Sequence, residues 1–209
     1  MDEETFSAIY NINFDEFLET LLALKPQTNY RDIKRAYDFA KLIHQGQFRD
    51  EGTPYISHPL RVAYYLIRYF RVFDEEVIAA ALLHDVLEDC PRVTIESLKK
   101  IFGARIAFYV YLLTKPAEDL LEPRQRILQY QHQLLEAPEE VKLIKLLDRL
   151  DNLFSLPLSP DPGKIEKYIK ETLYLYIPLA RQSHPGLAVN IFRQVKKLAA
   201  GLKTPPDVF

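Results

Sequence analysis

The sequence predicts an all-α fold, a bundle of about eight to ten helices, on three observations. Apolar residues recur with helical period along nearly the whole of the 209 residues. No segment shows the apolar–polar alternation of a half-buried strand. The run Val77-Ile-Ala-Ala-Ala-Leu-Leu83 is apolar on every face, as expected of a helix sunk in a domain core.

Taken in order, residues 1–28 read as an N-terminal helical extension with a docking helix around Phe14 to Leu24. Ile33, Ala36, Tyr37, Ala40 and Ile43 mark one face of a helix from about Tyr30 to Gln45, with Gly46 as its stop. Pro59 suits the first turn of a helix through Leu60 to Phe70. Asp74, Glu75 and Glu76 open a helix that is expected to run unbroken to Asp89 and to end at Cys90-Pro91. Thr94 is the expected N-cap of a short helix ending at Phe102-Gly103, and a further apolar helix runs to about Leu113. Segments Glu122 to Leu135 and Pro138 to Phe154 continue the pattern. On the second, the charge outside the inward stripe is expected to form a solvated face. Ile165, Tyr168, Ile169, Thr172, Leu173 and Tyr176 give a stripe before Pro178, and a last helix spans Leu187 to Leu198. The proline-rich stretch Leu156 to Gly163 reads as an ordered surface connection. The main domain is expected over residues 29–200, with 201–209 as a tail.

Composition narrows the function classes. An apolar content of 48% with 12% aromatics fits a soluble globular domain. The formal net charge of −2 argues against nucleic-acid binding, which usually appears as a basic excess. Cys90 is the single cysteine, so no internal disulfide is possible, and the chain suits a reducing cytoplasm. No segment reaches the roughly 18 apolar residues of a membrane span, and the opening Met-Asp-Glu-Glu is unlike a secretory signal.

The chemistry concentrates in His84-Asp85-Val86-Leu87-Glu88-Asp89, at the end of the most apolar helix. Isolated buried charges are costly, and a divalent metal would supply partners for these groups, since imidazole and carboxylate are good ligands for such ions. His58, directly before Pro59, and Asp148, on the inward face one turn from Ile144, are candidates to complete the shell. Asn152 lies four residues on from Asp148. Glu88 and Asp89, one helical turn beyond His84 and Asp85, are left to orient or deprotonate a water. Each residue also has a plainer reading. His58 could cap a helix, and Asp148 could form a surface salt bridge with Lys145 or Arg149. His44, His132 and His184 are read as structural or solvent-facing.

The combination His58…His84-Asp85…Asp148 resembles the HD-domain metal-dependent phosphohydrolases. Its surroundings resemble the hydrolase domain of the RelA/SpoT alarmone enzymes. The matching text includes Ala40-Lys-Leu-Ile-His-Gln-Gly-Gln-Phe-Arg49, Gly52-Thr-Pro-Tyr-Ile-Ser-His-Pro59, Ala80-Ala-Leu-Leu-His-Asp-Val-Leu-Glu-Asp89, Phe102-Gly103, Thr114-Lys115, Lys142-Leu-Ile-Lys-Leu-Leu-Asp-Arg-Leu-Asp-Asn152 and Glu171-Thr-Leu-Tyr-Leu-Tyr-Ile-Pro-Leu-Ala180. The resemblance covers about residues 30–180, and the chain is similar to a stand-alone small alarmone hydrolase.

That resemblance implies an HD-domain helical bundle that hydrolyses the 3′-pyrophosphate of guanosine tetra- and pentaphosphate with one Mn²⁺. It implies His58, His84, Asp85 and Asp148 as metal ligands, with Glu88 and Asp89 as catalytic acids handling the nucleophilic water. It implies that Asn152 lies near ribose and phosphate and that Arg49 packs on the base. Lys115, Lys142, Lys145, Arg124 and Arg126 are candidates for the remaining phosphates. The chain departs from the pattern at Asp50, where lysine is common and Glu51 follows, and at Asp151, where histidine or an aromatic residue is usual. Acids at 50 and 51 would repel a polyanion, while Asp151 could pair with a nearby base or touch the metal site. The alternatives are a phosphohydrolase for another phosphorylated nucleotide, such as NADPH or a nucleoside monophosphate, and a non-catalytic nucleotide-binding domain.

Overall fold

The computed structural model describes residues 3–116, 122–158 and 161–202. Among them the regular elements are helices, joined by turns and one isolated bridge between Phe48 and Pro54. The expected tail at 203–209 lies outside the described residues.

The chain opens with α1 (Glu3–Ile9) and α2 (Phe14–Leu24). Asn13 starts α2 by accepting from the backbone of Asp15 and Glu16, while Glu16 reaches back to the Asn13 N–H, so orphan donors at the helix start are satisfied. Phe17 and Leu21 are fully buried, and Phe6 stacks on Phe154 at 4.9 Å, so both helices share the core of the rest. Next come α3 (Arg31–Ile43), a loop that turns at Gly46 with φ +80°, and α4 (Ser57–Tyr69). His58 is therefore inside the first turn of α4, not before it.

Thr94 caps α7 (Ile95–Phe102) as expected, and Gly103 joins it to α8 (Ala104–Leu113). Helices α9 (Pro123–Leu135) and α10 (Glu139–Ser155) follow, then a single 3₁₀ turn at Leu156–Leu158. Helix α11 (Pro162–Glu171) runs through a π-segment, Thr172–Tyr176, into α12 (Ile177–Ser183), and α13 (Pro185–Ala200) closes the chain.

Two helices differ from the sequence reading for physical reasons. The run from Asp74 to Asp89 breaks into α5 (Glu75–Leu82) and α6 (Val86–Asp89), with Leu83-His84-Asp85 in a turn. The His84 ring donates through Nδ1 to the Ala81 carbonyl at 2.8 Å, capping α5 with a side chain. The break lets consecutive residues 84 and 85 face one point, which an unbroken helix forbids. The second difference is the stripe at 165–176, which does not stop at Pro178. Ile177 N–H bonds Thr172 O five residues back, and this wider turn absorbs the proline.

Helix α10 forms the axis of the bundle and packs against α4, α8, α12 and α13. The expected solvated face is confined to its start, at Glu139, Glu140 and Lys142; farther along, Lys145, Arg149 and Asp151 are buried, as is the inward-facing Asp148. Charges at such an address must be paired, and their partners define the site.

Candidate metal centre

Helices α4 and α10 and the α5–α6 turn bring His58, Asp148, His84 and Asp85 together. His58, His84 and Asp85 each aim a ligand atom to within 4.8 Å of the others. His58 Nε2 lies 3.1 Å from Asp148 Oδ1 and 3.7 Å from Asp85 Oδ2. His84 Nε2 lies 3.2 Å from Asp85 Oδ1 and 3.8 Å from Asp148 Oδ1. Ligand bonds of about 2.1 Å would put neighbouring ligand atoms roughly 3.0–3.4 Å apart around one ion, close to these separations.

The hydrogen bonds behind the rings agree. His84 Nδ1 is spent on the Ala81 carbonyl, which can only accept, so its buried Nε2 carries the lone pair and has no hydrogen-bond partner. His58 Nδ1 lies 2.7 Å from Asp151 Oδ2, whose carboxylate is held ionised by Arg61, so this nitrogen donates and Nε2 again faces the cluster. Imidazoles backed in this way are fixed for metal ligation. Two lone pairs against two carboxylates call for a cation. Burial opposes charge on His84, but Asp85 and Asp148 outweigh it and lift the pKa to about 10, so the two carboxylates favour positive charge at this point. Burial also opposes charge on Asp148, yet Lys145 and the two histidines hold its carboxyl well below the usual range.

The candidate catalytic acids sit beside this cluster. Glu88 accepts the Lys115 backbone N–H at 2.6 Å, and burial pushes its pKa up against the pull of Lys145. Burial and the Asp85 charge raise Asp89, whose Oδ2 lies 3.7 Å from His44 Nδ1. His44 is buried and stacked on Tyr55 at 4.5 Å.

A cleft of about 170 Å³ adjoins the cluster, lined by Arg49, Asp50, Glu51, Tyr55, Asn152, Lys164 and Tyr168 among others. Its back wall is tied to the cluster: Arg49 donates to Asn152 Oδ1 at 2.7 Å, and Asn152 donates to Asp148 Oδ1 at 2.5 Å. The acids at the mouth are not bare. Asp50 pairs with Lys164 at 2.5 Å, and Glu51 lies 3.8 Å from Arg49 Nε. The simple repulsion expected from these two acids is therefore offset inside the protein.

The five cationic candidates separate. Lys145 is buried with its ammonium 2.9 Å from Asp148 Oδ2, the expected pairing but not at a surface. Lys115 binds Glu171 at 2.6 Å, and Glu171 also accepts from Arg149 at 2.8 Å. Lys142 pairs with Glu139 at the start of α10, apart from the cluster. Arg124 is exposed on α9, facing a groove shared with α11, and Arg126 donates to the Pro116 carbonyl.

Sequence reading missed Tyr55, Arg61 and Tyr65. Tyr55 donates to Asp85 Oδ2 at 2.8 Å, and Tyr65 and Arg61 both donate to Asp151. The one signal was Arg61 itself, a charge one turn after His58 in the apolar stretch Leu60 to Ala63.

A family model described as HD domain matches residues 36–183. The chain belongs to the HD-domain family. It is 41% identical over 178 residues to a guanosine-3′,5′-bis(diphosphate) 3′-pyrophosphohydrolase of Aquifex aeolicus, covering 84% of this chain and 25% of that protein. It is 33% identical over 175 residues to the bifunctional (p)ppGpp synthase/hydrolase SpoT of Escherichia coli K12, covering 81% and 24%. The chain thus spans about a quarter of the length of these relatives. A solved structure of a metazoan ortholog of SpoT, described as hydrolysing ppGpp, superposes with a TM-score of 0.67 and 26% identity, covering 80% of this chain and 95% of that one. No described helix is long and apolar enough to cross a membrane.

Proposed function

We propose that this HD domain removes the 3′-pyrophosphate of guanosine tetra- and pentaphosphate, releasing pyrophosphate and GDP or GTP, with one Mn²⁺ held by His58, His84, Asp85 and Asp148. The observation that carries the reading is the junction of two built features. A buried cluster of two imidazoles and two carboxylates with Glu88 and Asp89 beside it meets a cleft backed by Arg49 and Asn152. The names of the relatives supply the substrate class.

When bound, the divalent ion supplies charge that polarises the phosphoryl group and acidifies a coordinated water. The protein's own groups do the rest. Glu88, its carboxylate raised by burial, takes a proton from the attacking water, and Asp89 orients that water. The water oxygen bonds to the phosphorus next to the ribose, the bond from that phosphorus to the 3′ oxygen breaks, and the 3′ oxygen takes up a proton. Arg49 stacks its planar guanidinium on the base and Asn152 binds the ribose side. Lys115 neutralises phosphate charge, exchanging Glu171 for the substrate. Lys145 fixes Asp148 against the ion. The protein acts on a small nucleotide in the cytoplasm and needs no nucleic-acid or membrane partner.

The test incubates purified protein with ppGpp and Mn²⁺ beside an Asp85→Ala variant, with NADPH and nucleoside monophosphates as competing substrates. Pyrophosphate release by the intact protein alone is expected. Release that survives Asp85→Ala, or turnover confined to another nucleotide, overturns the proposal.

A further inference from the structure

The buried ion pair behind His58 reaches a part of the molecule that the proposed chemistry does not use. Asp151 is fully buried and accepts four hydrogen bonds: His58 Nδ1 at 2.7 Å, Arg61 Nε at 2.8 Å, Arg61 Nη2 at 2.9 Å and Tyr65 Oη at 2.7 Å. Arg61 is equally buried, and its third donor, Nη1, goes to the Tyr10 backbone carbonyl at 3.1 Å. Its guanidinium also lies 5.4 Å from the Phe6 ring and 5.3 Å from the Tyr10 ring. One unbroken line of contacts therefore runs from α1 through Arg61 and Asp151 to the imidazole of His58.

We propose that Asp151 is a positioning residue for His58, and that α1, acting through Arg61, is part of the same device and sets how tightly the divalent ion is held. The physical case has three steps. An anionic acceptor behind a ligating imidazole fixes its tautomer and ring plane and raises its basicity. A carboxylate in this dry position stays ionised and correctly aimed only while its counter-charge is present in two-pronged geometry. That counter-charge is covered on its far side by Phe6 and Tyr10, so removing their rings lets water reach Arg61 and loosens the fork. Helix α1 thereby acts on the metal centre without touching it.

The inference rests on the metal reading of the cluster, and the experiment separates the two. The purified 209-residue chain is stripped with chelator and titrated with Mn²⁺, following free Mn²⁺ by electron paramagnetic resonance, with thermal unfolding measured on each metal-free sample. Asp151→Asn is expected to weaken Mn²⁺ binding by about 10- to 100-fold. Arg61→Lys keeps the buried charge but loses the fork, and should weaken binding severalfold. The Phe6→Ala/Tyr10→Ala double variant should weaken it about three- to tenfold. Leu98→Ala, a fully buried core truncation on α7, supplies a destabilised control whose Mn²⁺ affinity stays at the wild-type value. Wild-type Mn²⁺ affinity in Asp151→Asn, or in both Arg61→Lys and the Phe6→Ala/Tyr10→Ala variant, overturns the proposal. So does a loss in Leu98→Ala as large as theirs. No Mn²⁺ uptake by the wild type overturns the metal reading together with it.

Discussion

The ligand cluster and the adjoining cleft are built on opposite plans. In the cluster every charged group is buried and backed by a second group: Asp151 behind His58, the Ala81 carbonyl behind His84, Tyr55 behind Asp85, Lys145 behind Asp148. At the cleft mouth Asp50 and Lys164 form a pair whose side chains are both half-exposed, within reach of solvent. A buried charge that loses its partner is penalised heavily, whereas an exposed one is resolvated at little cost. On the proposed function, the cluster would hold one geometry fixed for chemistry, while the half-exposed pair at the cleft mouth could alter its charges at little cost and bear on substrate choice.

Substitutions graded by burial should separate the two plans. The largest effect is expected for ligand loss: His84→Ala, or chelation of the wild type, should abolish pyrophosphate release, with Mn²⁺ restoring only the chelated protein. Next, Glu88→Gln keeps the shape and removes the base, and should lower kcat by roughly 10²–10⁴ with KM little changed. A steady-state assay that finds KM rising while kcat holds would place Glu88 in the cleft instead.

Glu171 lies between the two plans, largely buried against Lys115 and Arg149. Burial opposes its charge, but Arg149 and Lys115 bring the pKa down from 4.5 to about 2. A carboxylate lowered on folding stabilises the protein at neutral pH, and the benefit is lost as pH falls from about 4.5 towards 2. Wild type should exceed Glu171→Gln by at most about 3 kcal/mol at pH 7, the gap closing by pH 2 in denaturant unfolding. A gap independent of pH would refute this. The smallest effect belongs to the cleft mouth: Asp50→Asn frees Lys164 and should lower KM for ppGpp about two- to fivefold with kcat unchanged.

Much of this was legible in the sequence because it is local. The Thr94 cap, the stop at Gly103 and the apolar run through Leu83 depend on near neighbours, and the helices form where those signals stand. His84 and Asp85 stood out as buried polar groups at the end of an apolar run. His58 and Asp148 were candidates that joined them as a set only through the family resemblance, and the fold brings the four together. The turn at Leu83–Asp85 was not legible. Nothing in a run of alanines and leucines marks a break, which is stabilised by a side-chain cap and by the centre it faces. The burial of Arg149 and Asp151 was equally hidden, because a charge reads as solvated until its partner on another helix is known; Lys145 was read with Asp148 on its own helix, but at a surface.

The sequence by itself determined an all-helical chain, since periodicity and caps act over a few residues, and its motifs resembled the HD type and offered residue types that can hold an ion. The tertiary structure alone decided which charges are buried and what lies behind each ligand. Asp151 meets His58 and Arg61 across 93 and 90 positions of chain, and Arg61 meets Tyr10 across 51. Pairings at that separation are set by how helices pack around α10, and electrostatic strength follows from the burial that this packing imposes.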